Sequence, residues 1–433
     1  MHLSRRTFLT ASAALIAVPK RALAAPFVLR AEPVTAQILP PGDGTTQMLG
    51  FNGSTPGPEL RFQQGDTVDL RFENTIGEGS AIHWHGIRID NAMDGVPYLT
   101  QPLVEDGKGF DYRFALPDAG TYWYHSHNRS WEQVARGLYG PLIVEERNPP
   151  EVDHDITVMV DDWRIERSGE VIKDFGNRHD FSHAGRLGTF AKVIPSVRTV
   201  RRGDRVRLRL INVATARVFP LEISGIAGKI VALDGMSLAE TQEIQAIMLA
   251  PAQRMDIIAD VSDMIKFAFP TRQEPYEMGE IAVEGENPNP RGDDIANLPN
   301  ARIARPAAEP TKLLNLTLQG GAMGGQHEGD DIWSLNGVSG LQDAPWQRFA
   351  LGETVRIRIT NDTAFPHGIH LHGHHFHEVA PDGSLGPFRD TTLLHRQQTR
   401  DIICVFDNPG RWLLHCHMLG HQARGMKTWV KVG

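Results

Sequence analysis

A ten-residue pattern occurs three times in this chain, and it constrains the fold more than any other feature. Gly65-Asp66-Thr67-Val68-Asp69-Leu70-Arg71-Phe72-Glu73-Asn74 recurs as Gly203-Asp204-Arg205-Val206-Arg207-Leu208-Arg209-Leu210-Ile211-Asn212, and again as Gly352-Glu353-Thr354-Val355-Arg356-Ile357-Arg358-Ile359-Thr360-Asn361. Each copy is a Gly-acid turn followed by residues that alternate between apolar and polar, the period of a half-buried strand. The copies stand too far apart for a solenoid, whose units recur every ~20–50 residues. They fit tandem domains instead. A chain of 433 residues is long enough to need several cores.

Other segments read the same way. Thr157 to Val160, Arg254 to Asp260 and Lys427 to Val432 are short β-prone runs between turn residues, and long amphipathic helical patterns are scarce. The expectation is all-β, with three β-sandwich domains. Asn148-Pro149-Pro150 marks the first boundary, so domain one spans 26–149 and domain two 150–286. The stretch 287–310 opens with Asn287-Pro288-Asn289-Pro290-Arg291-Gly292 and reads as a linker to domain three, 311–433.

Residues 1–25 read as an export signal. Ser4-Arg5-Arg6-Thr7-Phe8-Leu9 is a twin-arginine pattern, Ala11 to Val18 is apolar, and Ala22-Leu23-Ala24 offers a small-residue cleavage site. The apolar part falls short of the ~20 residues that span a bilayer. A periplasmic or secreted protein, delivered by the twin-arginine export machinery and without stable membrane insertion, is expected. The net charge of −8 leaves no basic excess to neutralise phosphate, which excludes a nucleic-acid partner. Only two cysteines are present, Cys404 and Cys416, so no disulfide framework is expected. Cys404, in the apolar run Ile402 to Phe406, reads as a buried small hydrophobe.

The chain carries 19 histidines, and most fall in four clusters: His83-Trp84-His85-Gly86, Tyr124-His125-Ser126-His127, His367-Gly368-Ile369-His370-Leu371-His372 and His415-Cys416-His417. Each contains His-x-His, and on a strand residues i and i+2 share a face. Each pair can therefore turn two imidazoles toward one metal-bearing cavity. The clusters also keep the register of the repeat. His83 and His85 follow Asn74 as His370 and His372 follow Asn361, and His125 follows Gly120 as His415 follows Gly410. Domain two has Leu221 and Ile223 at the corresponding places. The expected geometry sets a metal cluster where domains one and three meet, with domain two as spacer. Eight imidazoles exceed the needs of one ion and suit three coppers.

In His415-Cys416-His417 the cysteine faces away from its neighbours, toward His421 and Met426. His367, at an odd offset from His370, faces the same way. Two His, a Cys thiolate and a weak Met form the ligand set of a blue-copper electron-transfer site. Domain one has Ser126 in place of Cys416 and lacks that site. His-x-His also suits zinc, but four pairs in repeat register with Cys-x4-His-x4-Met favour copper.

These four segments resemble the four copper motifs of the multicopper oxidases, the family of laccases, bacterial cuprous oxidases and bilirubin oxidases. The resemblance covers essentially all of the chain after the signal and implies three tandem cupredoxin-like Greek-key β-sandwich domains. It implies four coppers per chain. His83 and His370 would hold the type 2 copper. His85, His125 and His417 would hold one type 3 copper, and His127, His372 and His415 the other. His367, Cys416 and His421 would hold the type 1 copper, with Met426 axial. Cys416, bonded through the chain to His415 and His417, would carry the electron path. The family also has an acid close to the cluster, where this chain has Asp94, expected to be the proton donor. By itself Met93-Asp94-Gly95-Val96-Pro97 is a turn. After His421 several bacterial members carry Glu as a proton relay. This chain has Gln422, which cannot donate in the same way.

His374, His375 and His377 read as residues behind the ligands or at the surface, and His154, His179, His183, His327 and His395 have no motif partner. The expected function is laccase-like: one-electron oxidation of phenols or aromatic amines, coupled to reduction of O2 to water. The scattered methionines favour this, since Met323 stands alone between Gly320 and Gly325, where copper-tolerance oxidases often carry a Met-rich insert. The alternatives are oxidation of Cu(I) for copper tolerance and a non-enzymatic periplasmic copper-binding or electron-transfer protein. The last predicts copper binding without oxygen consumption.

Overall fold

The computed structural model describes residues 27–298, 309–323 and 331–433. The expected signal at 1–25, part of the expected linker and His327 lie outside the described residues. The described strands gather in five sheets. Two four-stranded sheets come from residues 27–145, a nine-stranded sheet from 154–286, and a six-stranded and a five-stranded sheet from 312–432. The fold is all-β, three cupredoxin-like Greek-key sandwiches in tandem, called units one, two and three below. Described helices are short, as at Ser130–Gln133, Arg178–Ser182 and Leu419–Ala423. None is long and apolar enough to cross a membrane.

The repeat has a structural reason at each of its ends. At its start, Gly65, Gly203 and Gly352 have φ of 97°, 83° and 80°, the left-handed region that favours glycine. The acid that follows closes the turn: carboxylates of Asp66, Asp204 and Glu353 accept the N–H of Gln63, Arg201 and Ala350 at 2.9, 2.8 and 2.9 Å. At its end the Asn side chain ties two chain segments together. Asn74 donates to the carbonyls of Glu78 and Val104, Asn212 to those of Arg217 and Leu249, and Asn361 to those of Phe365 and Leu394. Between these ends the strand pairs in parallel with the first strand of its own unit, as Phe27↔Leu70, Val206↔His154 and Lys312↔Val355.

The alternation of unit one is the expected one: Val68, Leu70 and Phe72 are buried while Thr67 and Asp69 are exposed. Each such side chain contributes about 1.5–3 kcal/mol of burial. In unit two the same strand, Arg205–Asn212, is buried along its whole length. Its polar face lies under unit one. Arg207 pairs with Glu146 and Asp256, and Arg209 pairs with Asp155 and donates to Thr121 Oγ1. Such charges are tolerated out of water only when paired, and removing one partner costs about 3–5 kcal/mol. In the segment 287–298 most residues are exposed, but Leu298 packs down and joins Val231, Ala232 and Ile258 in one apolar cluster.

Candidate metal centres

The histidine pairs stand at equivalent places in units one and three. His83 and His85 lie on the strand Ile82–His85, His125 on Gly120–Ser126, His370 on His367–Leu371 and His415 on Gly410–Cys416. His127, His372 and His417 lie just past the strand ends. Across the ladders His83 faces His125, and His370 faces His415. The two halves meet face to face. His85 stacks on His370 with centroids 3.8 Å apart, and His83 on His372 at 3.9 Å. In this contact the ligand-type atoms form close groups: His83, His85 and His370; His85, His125 and His417; His127, His372 and His415. Within each group the atoms lie within 4.8 Å of one another, and every residue is buried.

The ring nitrogens have the chemistry of an ion site. His83 Nδ1 donates to the Asp94 carbonyl at 2.8 Å, His125 Nδ1 to the Ser126 carbonyl at 2.9 Å, and His370 Nδ1 to the Asp390 carbonyl at 2.9 Å. A carbonyl only accepts, so each ring carries its proton on Nδ1 and leaves Nε2 bare. Those Nε2 atoms are buried without a partner, as are both nitrogens of His417. His372 and His415 are the clearest case. His415 Nδ1 donates to the Cys416 carbonyl and His372 Nδ1 to Asp94 Oδ2, yet their Nε2 atoms face each other at 3.1 Å. Two lone pairs at that distance repel unless a cation lies between them. Burial in an apolar setting, followed by the mutual repulsion of neighbouring imidazoles, holds His127 and His372 well below the ordinary imidazole pKa. Neutral imidazoles are the form that binds metal. The residues fit a cluster of copper ions.

A second group lies on the far side of the strand Gly410–Cys416. Cys416 Sγ is 3.5 Å from His367 Nδ1 and 3.7 Å from His421 Nδ1, and the two nitrogens are 3.1 Å apart. Burial pushes the thiol of Cys416 up to about 12, opposed by the N–H groups of Met418 and Gly368 that face the sulfur. It is released as thiolate when a metal takes the proton's place. Met426 is fully buried, and its carbonyl accepts the Cys416 N–H at 3.0 Å. The far edges of both rings are capped. His421 Nε2 donates to the His183 carbonyl at 2.7 Å, and His367 Nε2 meets Thr363 Oγ1 at 2.8 Å. Trp333 covers the pair, its ring 4.3 Å from His421.

Two carboxylates flank the histidine cluster. Asp94 was picked out by sequence, and it is fully buried. Its Oδ2 accepts the His372 Nδ1–H at 3.0 Å, and its Oδ1 lies 3.3 Å from His83 Nδ1 without a hydrogen bond of its own. Asp390 was missed. Its Oδ1 is 3.2 Å from His85 Nε2, and Arg254 of unit two holds both of its oxygens, at 2.9 and 2.5 Å. Burial alone would raise the Asp390 carboxyl, but Arg254 and then His85 hold it well below the usual range. Gly86, at φ 89°, leaves room for this pair: a Cβ there would stand 2.3 Å from Arg254 Nη2 and 2.7 Å from Asp390 Oδ2. Only the sequence Arg389-Asp390-Thr391, after the third histidine cluster, could have hinted at Asp390, and it carries no ligand spacing.

Unit two is therefore more than a spacer. It gives no residue to the grouped ligands, and Leu221 belongs to its own apolar core. It does supply Arg254 behind Asp390 and the His183 carbonyl over His421. His374, His375 and His377 are buried and not surface residues, and His375 Nε2 lies 3.6 Å from Asp390 Oδ2. Burial lowers His374 and His375 to about 4. Gln422 is buried next to His421. Cys404 is buried and free, its Sγ 3.5 Å from the His375 carbonyl.

Comparison with known proteins agrees with this geometry. The family described as multicopper oxidase matches at residues 34–149, 155–281 and 308–433. The crystal structure of Lac15 from a marine microbial metagenome is 56% identical, with 94% of this chain and 100% of that chain covered and a TM-score of 0.83. Copper resistance protein A of Pseudomonas syringae pv. tomato is 25% identical, covering 89% of both chains. Laccase-1 of Fomitopsis schrenkii is 26% identical, covering 88% of this chain and 82% of its own. The profile matches over all three units, with a buried Cys/His group and a cage of bare imidazoles where those units meet, show that this chain is a copper oxidoreductase and belongs to the multicopper oxidase family.

Proposed function

We propose that the chain is a laccase-like oxidase that couples four one-electron oxidations of a phenol or aromatic amine to the four-electron reduction of O2 to water. In this reading His367, Cys416 and His421, with Met426, would hold a type 1 copper. His83 and His370 would hold the type 2 copper, His85, His125 and His417 one type 3 copper, and His127, His372 and His415 the other. Bound copper supplies one-electron cycling at the first site and a store of electrons for O2 at the cluster. The observation that carries the reading is the placement of Cys416. Its sulfur joins His367 and His421 while its two chain neighbours, His415 and His417, point into the histidine cage. Peptide bonds therefore link the two centres.

The residues around the centres have separate tasks. The His183 carbonyl accepts the His421 Nε2–H at 2.7 Å, and an electron that enters at the edge of His421 passes this contact. Asp94 orients His372 through Oδ2 and keeps Oδ1 free to exchange a proton beside the cage. Arg254 holds Asp390 ionised, which fixes His85 and balances positive charge.

Oxidation of Cu(I) is the second reading, favoured by the likeness to a protein named for copper resistance. Elemental analysis, the visible spectrum and oxygen uptake with a simple phenol and with Cu(I), all on one copper-loaded sample, decide. About four coppers, an intense blue band and faster uptake with the phenol support the proposal. Faster uptake with Cu(I) than with every phenol tried moves the function to metal oxidation. Copper without oxygen uptake sinks both.

A further inference from the structure

A thioether other than that of Met426 lies beside the sulfur of Cys416. Met418 is fully buried, and its Sδ lies 3.8 Å from Cys416 Sγ. That Sδ also accepts the N–H of Gly368 at 3.2 Å. Gly368 lies across from the segment that carries Cys416: its carbonyl accepts the His417 N–H at 2.6 Å, and its neighbour Ile369 pairs with Cys416. A backbone donor next to the thiol is thus taken by a thioether. Met426 approaches by a different route. Its carbonyl accepts the Cys416 N–H, its own N–H bonds the His421 carbonyl at 3.0 Å, and its side chain lies in the same apolar cluster as Cys416 and Met418.

Hydrogen bonds and the polarity around the cysteine sulfur set the potential of a copper–thiolate centre, along with the axial ligand. An N–H donated to the thiolate withdraws charge from sulfur and so favours Cu(I). A neighbouring acceptor that takes part of that N–H does the reverse.

On the copper reading given above, we propose that Met418 is a tuning residue of the type 1 centre: its Sδ draws the Gly368 N–H away from Cys416 and holds the centre's affinity for an electron below the value that His367, Cys416, His421 and Met426 would set alone. Leu has nearly the volume of Met, so Met418→Leu removes the acceptor with little repacking. The Gly368 N–H is then free to serve the thiolate alone.

The test uses the copper-loaded full chain. Wild type, Met418→Leu and Met426→Leu are compared by visible spectrum and by redox titration against a one-electron couple. Met418→Leu is expected to bind type 1 copper, to shift the blue band, and to raise the ratio of Cu(I) to Cu(II) about tenfold at fixed poise, equivalent to ~59 mV. Met426→Leu gives its own shift, and the double variant shows both. A band and ratio unchanged in Met418→Leu overturn the proposal. Should that variant fail to fold or load, Met418→Ile is read with the same two outcomes. A wild-type chain that loads copper without a blue band sinks the copper reading itself, a result distinct from a blue wild type that is indifferent to Met418→Leu.

Discussion

Units one and three place different chemistry on the same backbone. Where unit three has His367, Cys416 and His421, unit one has Ser80 at the place of His367, Ser126 at the place of Cys416, and Gln133 on the short helix that follows. The unit-one residues satisfy one another. Ser126 Oγ donates to Gln133 Oε1 at 2.5 Å, Ser80 Oγ does so at 3.0 Å, and the two hydroxyls are 3.3 Å apart. The unit-three residues do not. Their two Nδ1 atoms face each other at 3.1 Å beside a thiol. A closed hydrogen-bond network needs nothing from outside, whereas a cluster of bare donors of electron pairs is completed by a cation. The metal preference follows from this difference and not from the fold.

The largest effect should come from making unit three resemble unit one. Cys416→Ser is expected to remove the blue band and to drop donor-driven oxygen uptake to background. An unpaired buried hydroxyl would cost the metal-free chain only ~1–3 kcal/mol. Spectroscopy, an oxygen electrode and a denaturant melt check this, and retained uptake would refute the electron path. Next in size is Asp94→Asn, which keeps the shape but loses the exchangeable acid. Oxygen reduction should slow by ~10–100-fold, while stopped-flow reduction of the blue band stays nearly unchanged. Slowed blue-band reduction would assign Asp94 to another step.

Acid should separate the two units in the metal-free chain. His374, His375 and His421 all lie in unit three, and burial holds each at about 4. Between pH 6.5 and 4 the unfolded chain takes up protons that the native chain refuses, so stability rises with pH and is lost as pH falls through that window. Each such group is worth at most ~1.4 kcal/mol per pH unit there. Hydrogen exchange at pH 5 should show unit three opening before unit one. The reverse order would mean that the unit-one histidines His85, His125 and His127 dominate. The smallest effect is expected from Ser126→Cys. It breaks the Ser–Gln network at about 1 kcal/mol, yet no second blue band should appear, because no imidazoles stand where His367 and His421 do. A new blue band would show that the thiol alone directs the site.

Much of this was legible before any coordinates. The Gly-acid and Asn ends of the repeat announce their hydrogen bonds, and the period of two in each His-x-His gives the shared face. The opposite orientation of Cys416 follows from the same period. What sequence could not show arises between units. Arg254 is far along the chain from Asp390, and nothing local to either residue names the other. Arg207 and Arg209 read as the solvent face of a strand until unit one covers them. Met418 reads as one more apolar residue after His417, because a contact between two sulfurs leaves no pattern.

The histidine cage has a consequence for the order in which the molecule is made. Each of its groups draws on both ends of the sequence: His85 and His125 need His417, and His127 needs His372 and His415. During synthesis the first set emerges long before its partners, and by itself it presents only pairs of imidazoles. No complete cage exists until the segment carrying His415 and His417 has been made and docked against unit one. The cage therefore cannot capture its ions before final assembly, and a nascent chain offers the surrounding medium no finished cage to fill with the wrong metal.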